Sequence, residues 1–168
     1  PNDFVKIIEK VETWDDWVNG VEAYAAERKE LAEKALENKK LVSAGEYFIE
    51  SGIYYHYAML GYFEDIDRKL ELKKKSMATY ERGLDLDIPP IRKLEIPYDG
   101  IKMAAHLRLP SEQGHFPLII CLPGVDSTKE EYHAFTEVFL KRGIATLVLE
   151  GPGQGETWFS RVMTDDYE

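Results

Sequence analysis

The sequence predicts an α/β fold assembled in two steps: a helical segment, then a β-hairpin followed by a parallel strand-helix-strand unit. Three observations predict it. Between Thr13 and about Asp87 there is no proline, and apolar residues recur at helical spacing, as in Trp17, Val21, Tyr24, Leu31 and Ala35. At Pro89-Pro90 that pattern breaks, which divides the chain into residues 1–88 and 89–168. Beyond the break, the short apolar runs "FPLIICLPG" and "IATLVLE" flank a helical stretch, and each leads into glycine.

The helical half carries its own start signals. "TWDD" places Thr13 three residues before an acid, an approximate capping box, and "SAGE" places Ser43 three before Glu46, a full one. Two helices are expected to start there, with a third from Glu64 to Arg82. Seven of the chain's 20 aromatic residues fall between Tyr47 and Phe63 and cover more than one helix face. Packing of a helical hairpin accounts for most of them, while the surplus of tyrosine hydroxyls suggests that part of this face meets a cavity. His56, in the same stretch, reads as a structural histidine.

In the second half, "IRKLEIPY" and "IKMAAHLRLP" flank Asp99-Gly100, a pair suited to a two-residue type I′ hairpin turn. "FPLIICLPG" then reads as a strand buried on both faces. A helix from about Lys129 to Arg142 follows, with Phe135, Val138 and Phe139 on one face and Gly143 as its stop. Lys129, Glu130 and Glu131 read as a first helical turn with exposed charges. "IATLVLE" closes the crossover as a second buried strand.

Composition narrows the partners. The 168 residues are 44% hydrophobic and carry a net charge of −10. Residues 1–88 hold 13 basic and 19 acidic side chains, and the remainder 8 and 12, so neither half is a basic module. Phosphate backbones and anionic membranes need clustered Lys and Arg, which makes nucleic acid and membrane poor partners. The one basic run, Lys73 to Lys75, reads as a solvated helix face. Cys121 is the single cysteine, so no internal disulfide or thiolate metal site is expected. No apolar run approaches the roughly 18 residues of a membrane span, and no signal-peptide pattern opens the chain; a cytoplasmic location is the default expectation. The start at Pro1 and the end in "TDDYE", acidic residues that look like the opening of a helix, suggest a fragment.

"LVLEGPGQGET", Leu147 to Thr157, raises the possibility of a phosphate-binding turn. Its glycines, Gly151, Gly153 and Gly155, bring the third one residue too early for a dinucleotide fingerprint, and the strand before them does not open the α/β unit. No Gly-Lys-Ser/Thr follows, so a P-loop is excluded as well.

Taken together, "LPGVDSTKEEY" at Leu122 to Tyr132, "EGPGQGET" at Glu150 to Thr157 and "SAGEYFIESGIYYHYAML" in the helical half resemble an α/β-hydrolase family, the branch typified by dihydroxypseudooxynicotine hydrolase and the fermentation-respiration switch protein. One departure is Glu150, where an aspartate is expected. The resemblance implies an N-terminal helical cap or dimerisation segment followed by the first half of an α/β-hydrolase sheet. It also implies a serine hydrolase acting on an ester, or on a carbon–carbon bond next to a carbonyl, in a small-molecule substrate, with no metal or organic cofactor and a possible homodimer through the helices.

Under that resemblance the backbone N–H of Val125, just past the Pro123-Gly124 turn, is an oxyanion donor, and Gly124 lets the backbone approach substrate. Asp126 beside it is either a polar contact and loop organiser or an N-cap of the next helix, a role for which Ser127 and Thr128 compete. Tyr54, Tyr55 and Tyr57 are the expected substrate contacts on the helical side. No G-x-S-x-G elbow occurs, and Ser127 and Ser160 lack its flanking glycines. The nucleophile, acid and histidine are therefore expected beyond Glu168, and His56, His106, His115 and His133 are not substitutes. A different class of function stays open: a helical interaction module, binding a protein partner, on a hydrolase core that has lost its chemistry.

Overall fold

A computed structural model describes residues 2–86 and 91–163, with side chains from residue 4 onward, so Pro89-Pro90 and "TDDYE" lie outside the described residues. The chain divides into two compact units, Pro1–Asp87 and Ile88–Glu168.

The first unit is all helical: α1 Asn2–Ile8, α2 Trp14–Glu37, α3 Leu41–Met59 and α4 Ile66–Leu84. Helix α2 begins where Thr13 accepts from the Asp16 N–H at 3.1 Å while the Asp16 carboxylate accepts from the Thr13 N–H at 2.9 Å. The approximate box is thus the real one. The box at Ser43 is not a cap at all: α3 starts at Leu41 with Lys40 as an N-cap that makes no side-chain bond. Its start is set instead by the turn that ends α2, where Lys39 has a φ of 58° and the Lys40 N–H returns to the Ala35 carbonyl at 2.9 Å. Helix α4 starts two residues after its expected position, because Asp65 supplies the cap by accepting from the Arg68 N–H at 2.9 Å. Thr13→Ala is expected to cost about 1 kcal/mol in urea denaturation, and Ser43→Ala much less. Equal effects would contradict the assignment of the boxes.

Val18, Val21, Ala25, Tyr55, Ala58, Met59, Tyr62 and Leu72 form the core of this unit. Helices α3 and α4 approach closely because Gly52 faces Tyr80 and Gly83 faces Ile49; a Cβ on Gly52 would lie 2.6 Å from the Tyr80 Cβ. Helix α1, which is not among the expected elements, closes the aromatic cluster: the Phe4 ring stacks on Tyr54 at 5.0 Å and on Trp17 at 6.0 Å. The run at Lys73 to Lys75 is not one solvated face, since Lys73 is buried while Lys75 pairs with Glu22 and Glu71. Successive helical residues are turned by about 100°, so three in a row cannot share a face. No helix among the described residues is long and apolar enough to cross a membrane.

The second unit is a four-stranded mixed sheet with one crossover helix. Strands β1 Arg92–Tyr98 and β2 Ile101–Arg108 form the expected hairpin, and Asp99 (φ 41°) and Gly100 (φ 78°) both take the positive φ of a type I′ turn. Strand β3 Leu118–Cys121, helix α5 Tyr132–Leu140 and strand β4 Ala145–Leu149 form the parallel crossover, and the sheet order is β1-β2-β4-β3. β4 is central, antiparallel to β2 on its other side. β3, expected to be buried on both faces, is instead an edge strand, with Leu118 50% and Ile120 59% exposed. Its apolar run lacks a second strand among the described residues. Helix α5 starts three residues later than expected and buries Thr136; Phe135 and Phe139 do share a face, with rings 5.2 Å apart, but Phe135 and Val138 on it are exposed.

Candidate functional site

At the carboxyl edge of the sheet two loops meet, one after β3 (residues 122–131) and one after β4 (residues 150–157). Parallel strands deliver both loops to the same edge, which is where α/β folds gather their sites. A cleft of about 380 Å³ opens between them, walled by Tyr98, Met103, Leu122, Leu149 and Met163, with Gly124 and Val125 at its lining. Its one charged pair is already closed on itself: Arg161 donates to the Asp99 carboxylate at 2.7 Å and to the Asp99 carbonyl at 2.6 Å.

Val125 and Asp126 occupy the tip of a turn in which the Ser127 N–H donates to the Gly124 carbonyl at 3.1 Å. Val125 is 73% exposed, and among the described residues its N–H meets no acceptor. A Cβ built on Gly124 would touch only the Asp126 carboxylate, at 3.6 Å, so there is open space beside this glycine. Asp126 does not cap α5, and neither does Ser127 or Thr128, because the helix begins at Tyr132 behind a run of turns. Ser127 instead bonds the Glu131 carboxylate.

The glycine loop is held by its own side chains. Gln154, 4% exposed, accepts from the Gly151 N–H at 3.0 Å and donates to the Pro123 carbonyl at 2.7 Å and the Gly124 carbonyl at 2.8 Å. Glu150 is fully buried; it accepts from the Lys129 N–H at 2.8 Å, the Lys129 ammonium at 3.0 Å and the Glu156 N–H at 2.8 Å. Gly155, at φ 44°, is required there, since a Cβ would lie 1.8 Å from the Glu150 carboxylate. Thr157 pins the loop to the sheet, accepting from the Ala104 N–H at 2.9 Å and donating to the Glu150 carbonyl at 2.9 Å.

Lys129 and Glu130 correct an expectation. They are not exposed charges of a first helical turn but are 3% and 4% exposed, in turns before the helix, where the Lys129 ammonium gathers Glu130, Glu150 and Glu156. Burial needs such partners: an isolated charge would be driven to its neutral form. Glu150, one methylene longer than the expected aspartate, is the centre of this lattice. Gln154, Glu150 and Lys129 were all absent from the expected site, although an acid at the end of a buried strand is itself a signal that a cation must lie near.

The histidines stay outside the cleft lining. Burial, then the Lys129 charge, lowers the His106 pKa to about 3, and burial, then Arg108, lowers His133 to about 3, so both are neutral fillers. His115 is exposed and His56 is buried in the helical unit. Tyr55 belongs to that unit's core, while Tyr54 and Tyr57 are half-buried, ring to ring at 6.2 Å and both against Phe4. The structure brings Tyr54 and Tyr57 together, and separately Gly124 and Val125. Among the described residues, no group of three or more His, Cys, Asp or Glu is arranged to hold a metal.

The sequence profile of the family described as Esterase FrsA-like matches residues 15–166. The chain is 33% identical over 157 residues to 2,6-dihydropseudooxynicotine hydrolase of Paenarthrobacter nicotinovorans, covering 93% of this chain and 41% of that protein. It is 29% identical over 147 residues to Alpha/beta hydrolase xenA of Xenoacremonium sinensis, covering 84% and 35%. The crystal structure of 2,6-dihydroxy-pseudo-oxynicotine hydrolase superposes with a TM-score of 0.84 at 30% identity, over 99% of this chain and 46% of that one. The chain thus spans about two fifths of the length of the curated relatives it matches.

Proposed function

The chain belongs to the FrsA-like esterase family, and from that premise we propose that it forms the N-terminal part of a serine hydrolase that cleaves an ester, or a carbon–carbon bond next to a carbonyl, in a small uncharged substrate. The observation that carries the proposal is the Val125 N–H, unclaimed among the described residues and set on a tight turn at the cleft. Acyl transfer develops negative charge on a carbonyl oxygen, and a backbone donor fixed beforehand stabilises it with little reorganisation. The apolar walls and the self-paired Arg161 and Asp99 favour a substrate without net charge. We read neither Ser127 nor Ser160 as the nucleophile. Ser127 is bonded to Glu131, and Ser160 follows a short 3-10 turn at Thr157–Phe159 instead of a strand-to-helix elbow. The attacking serine is proposed to lie beyond Glu168, so these 168 residues alone should be inactive.

The test uses the full-length protein. It is expected to turn over a p-nitrophenyl ester or a β-diketone, and a fluorophosphonate probe is expected to label a serine after Glu168 and stop turnover. An unlabelled, inactive full-length protein would refute the proposal and favour a binding role.

A further inference from the structure

We propose that Gln154 is the positioning residue that aims the Val125 N–H. The inference deepens the hydrolase reading above and rests on it. Gln154 is a buried side-chain amide with its donors and acceptor all engaged: Nε2 donates to the carbonyls of Pro123 and Gly124, and Oε1 accepts from the Gly151 N–H. That pattern fixes the amide's sense, because turning it over would set Oε1 against two carbonyls and Nε2 against an N–H. The glutamine is therefore a rigid strut between the loop after β4 and the loop after β3.

What it holds is specific. The Gly124 carbonyl and the Val125 N–H are the two ends of one peptide group, and a planar trans peptide points them in opposite directions. Fixing the carbonyl from Gln154 fixes the line of the N–H on the far side of the same plane. The Ser127 N–H adds a second donor to that carbonyl at 3.1 Å, so the peptide cannot rock about a single bond. Two donors on the carbonyl also polarise the peptide and make its N–H the stronger donor. A hydrogen bond weakens steeply as it bends, so an N–H left free to tilt would lose much of its hold on a developing oxyanion.

The far end of the loop is tied independently. Glu150 accepts from the Lys129 N–H at 2.8 Å, five residues after Gly124, so removing the strut leaves that anchor in place. Gln154→Met keeps the length of the side chain and removes all three bonds. Gln154→Glu keeps an acceptor for Gly151 but turns its other oxygen toward the two carbonyls.

In the full-length protein, with active sites titrated by a fluorophosphonate, Gln154→Met is expected to lower kcat per titrated site on a p-nitrophenyl ester about 10- to 100-fold, less than outright loss of an oxyanion donor, with KM within about two-fold. Gln154→Glu should be at least as impaired. Affinity for a boronic acid, whose adduct mimics the tetrahedral intermediate, should fall in parallel with kcat, while affinity for the product acid stays level. A merely structural role predicts the reverse, with fewer titratable sites and a lower Tm but unchanged kcat per site, and that result overturns the proposal. If the Met variant does not fold, the Glu variant decides on the same readout. A wild-type protein with neither turnover nor label overturns both readings, whereas equal kcat in an active wild type and the variant overturns this one alone.

Discussion

Lys129→Met is expected to destabilise the protein by about 3–5 kcal/mol, the usual consequence of removing one partner from a buried ion pair. The Lys129 ammonium lies 2.9 Å from Glu130, 3.0 Å from Glu150 and 3.1 Å from Glu156, with its side chain 3% exposed. Burial lowers the lysine pKa, and the three carboxylates outweigh it and raise the pKa above the usual value. Burial likewise raises Glu130, but the Lys129 charge reverses this and holds the carboxyl at about 2. Glu150 moves the other way, raised by burial and then by Glu130 against the pull of Lys129 and two backbone N–H groups. Methionine keeps most of the lysine's packing, so the variant isolates the loss of charge.

The sign with pH follows from linkage. In the wild type, Glu130 is depressed, so the stability it contributes is present above the unfolded value of about 4.3 and is lost as pH falls toward its folded value. Without the lysine, Glu130 rises above its unfolded value and Glu150, already raised in the wild type, rises further, so both buried carboxyls prefer to hold protons and the variant gains stability as pH falls. The gap between variant and wild type should therefore be widest near about pH 8 and narrower near about pH 5. Urea midpoints at the two pH values measure it, and a gap below about 1 kcal/mol, or one that widens in acid, would contradict the buried lattice. Lys102→Met is the control. Lys102 pairs with Glu95 where both side chains are about two-thirds exposed, and such pairs are worth about 0–1 kcal/mol.

That lattice shows where the sequence stops being readable. The order of elements could be read, because periodicity and punctuation are local: a proline-free helical stretch, Asp99-Gly100 with both residues at positive φ, and Gly143 at φ 75° ending α5. Caps were half readable. Thr13-x-x-Asp16 and Ser43-x-x-Glu46 look alike on paper, but only the first meets a chain free to enter its helix there, the second being overruled by the turn at Lys39. Burial of charge could not be read. "KEE" has the composition of a solvated turn, and only the crossover brings Lys129 against Glu150, 21 residues later. Similarly, the apolar run of β3 records which of its faces avoid water, not which neighbour covers them, so Ile120 can be 59% exposed at a sheet edge.

Gln154 is hidden in the sequence for a related reason: nothing local marks it among the three glycines, and its value lies in bonds to Pro123 and Gly124, 31 and 30 residues earlier. The glycines around it are shaped by contacts as well as by turns. Gly153, at φ 79°, lies where a Cβ would be 2.5 Å from the Met163 backbone, and its N–H donates to the Arg161 carbonyl at 2.8 Å. The tight loop and the strut therefore belong to one device, in which the backbone of one loop is shaped so that a side chain from it can hold the backbone of the other.

Val125→Pro tests the end of that device directly. It is expected to lower kcat of the full-length protein about 10²–10³-fold, the effect of removing one oxyanion donor, while leaving stability nearly unchanged. The separation is possible because of where Val125 sits. In the turn closed by the Ser127 N–H on the Gly124 carbonyl, it is the second residue, the position that proline favours in common turns. Its φ is not positive, and the glycine before it tolerates the restriction that proline places on its predecessor. The substitution therefore keeps the turn, leaves both Gln154 bonds to the carbonyls of Pro123 and Gly124 available, and deletes the N–H alone. Val125→Ala removes the exposed side chain and keeps the N–H, so it should stay within a few-fold of wild type. Proline and alanine variants with equal turnover would show that the side chain or the turn, and not the N–H, is what the cleft uses.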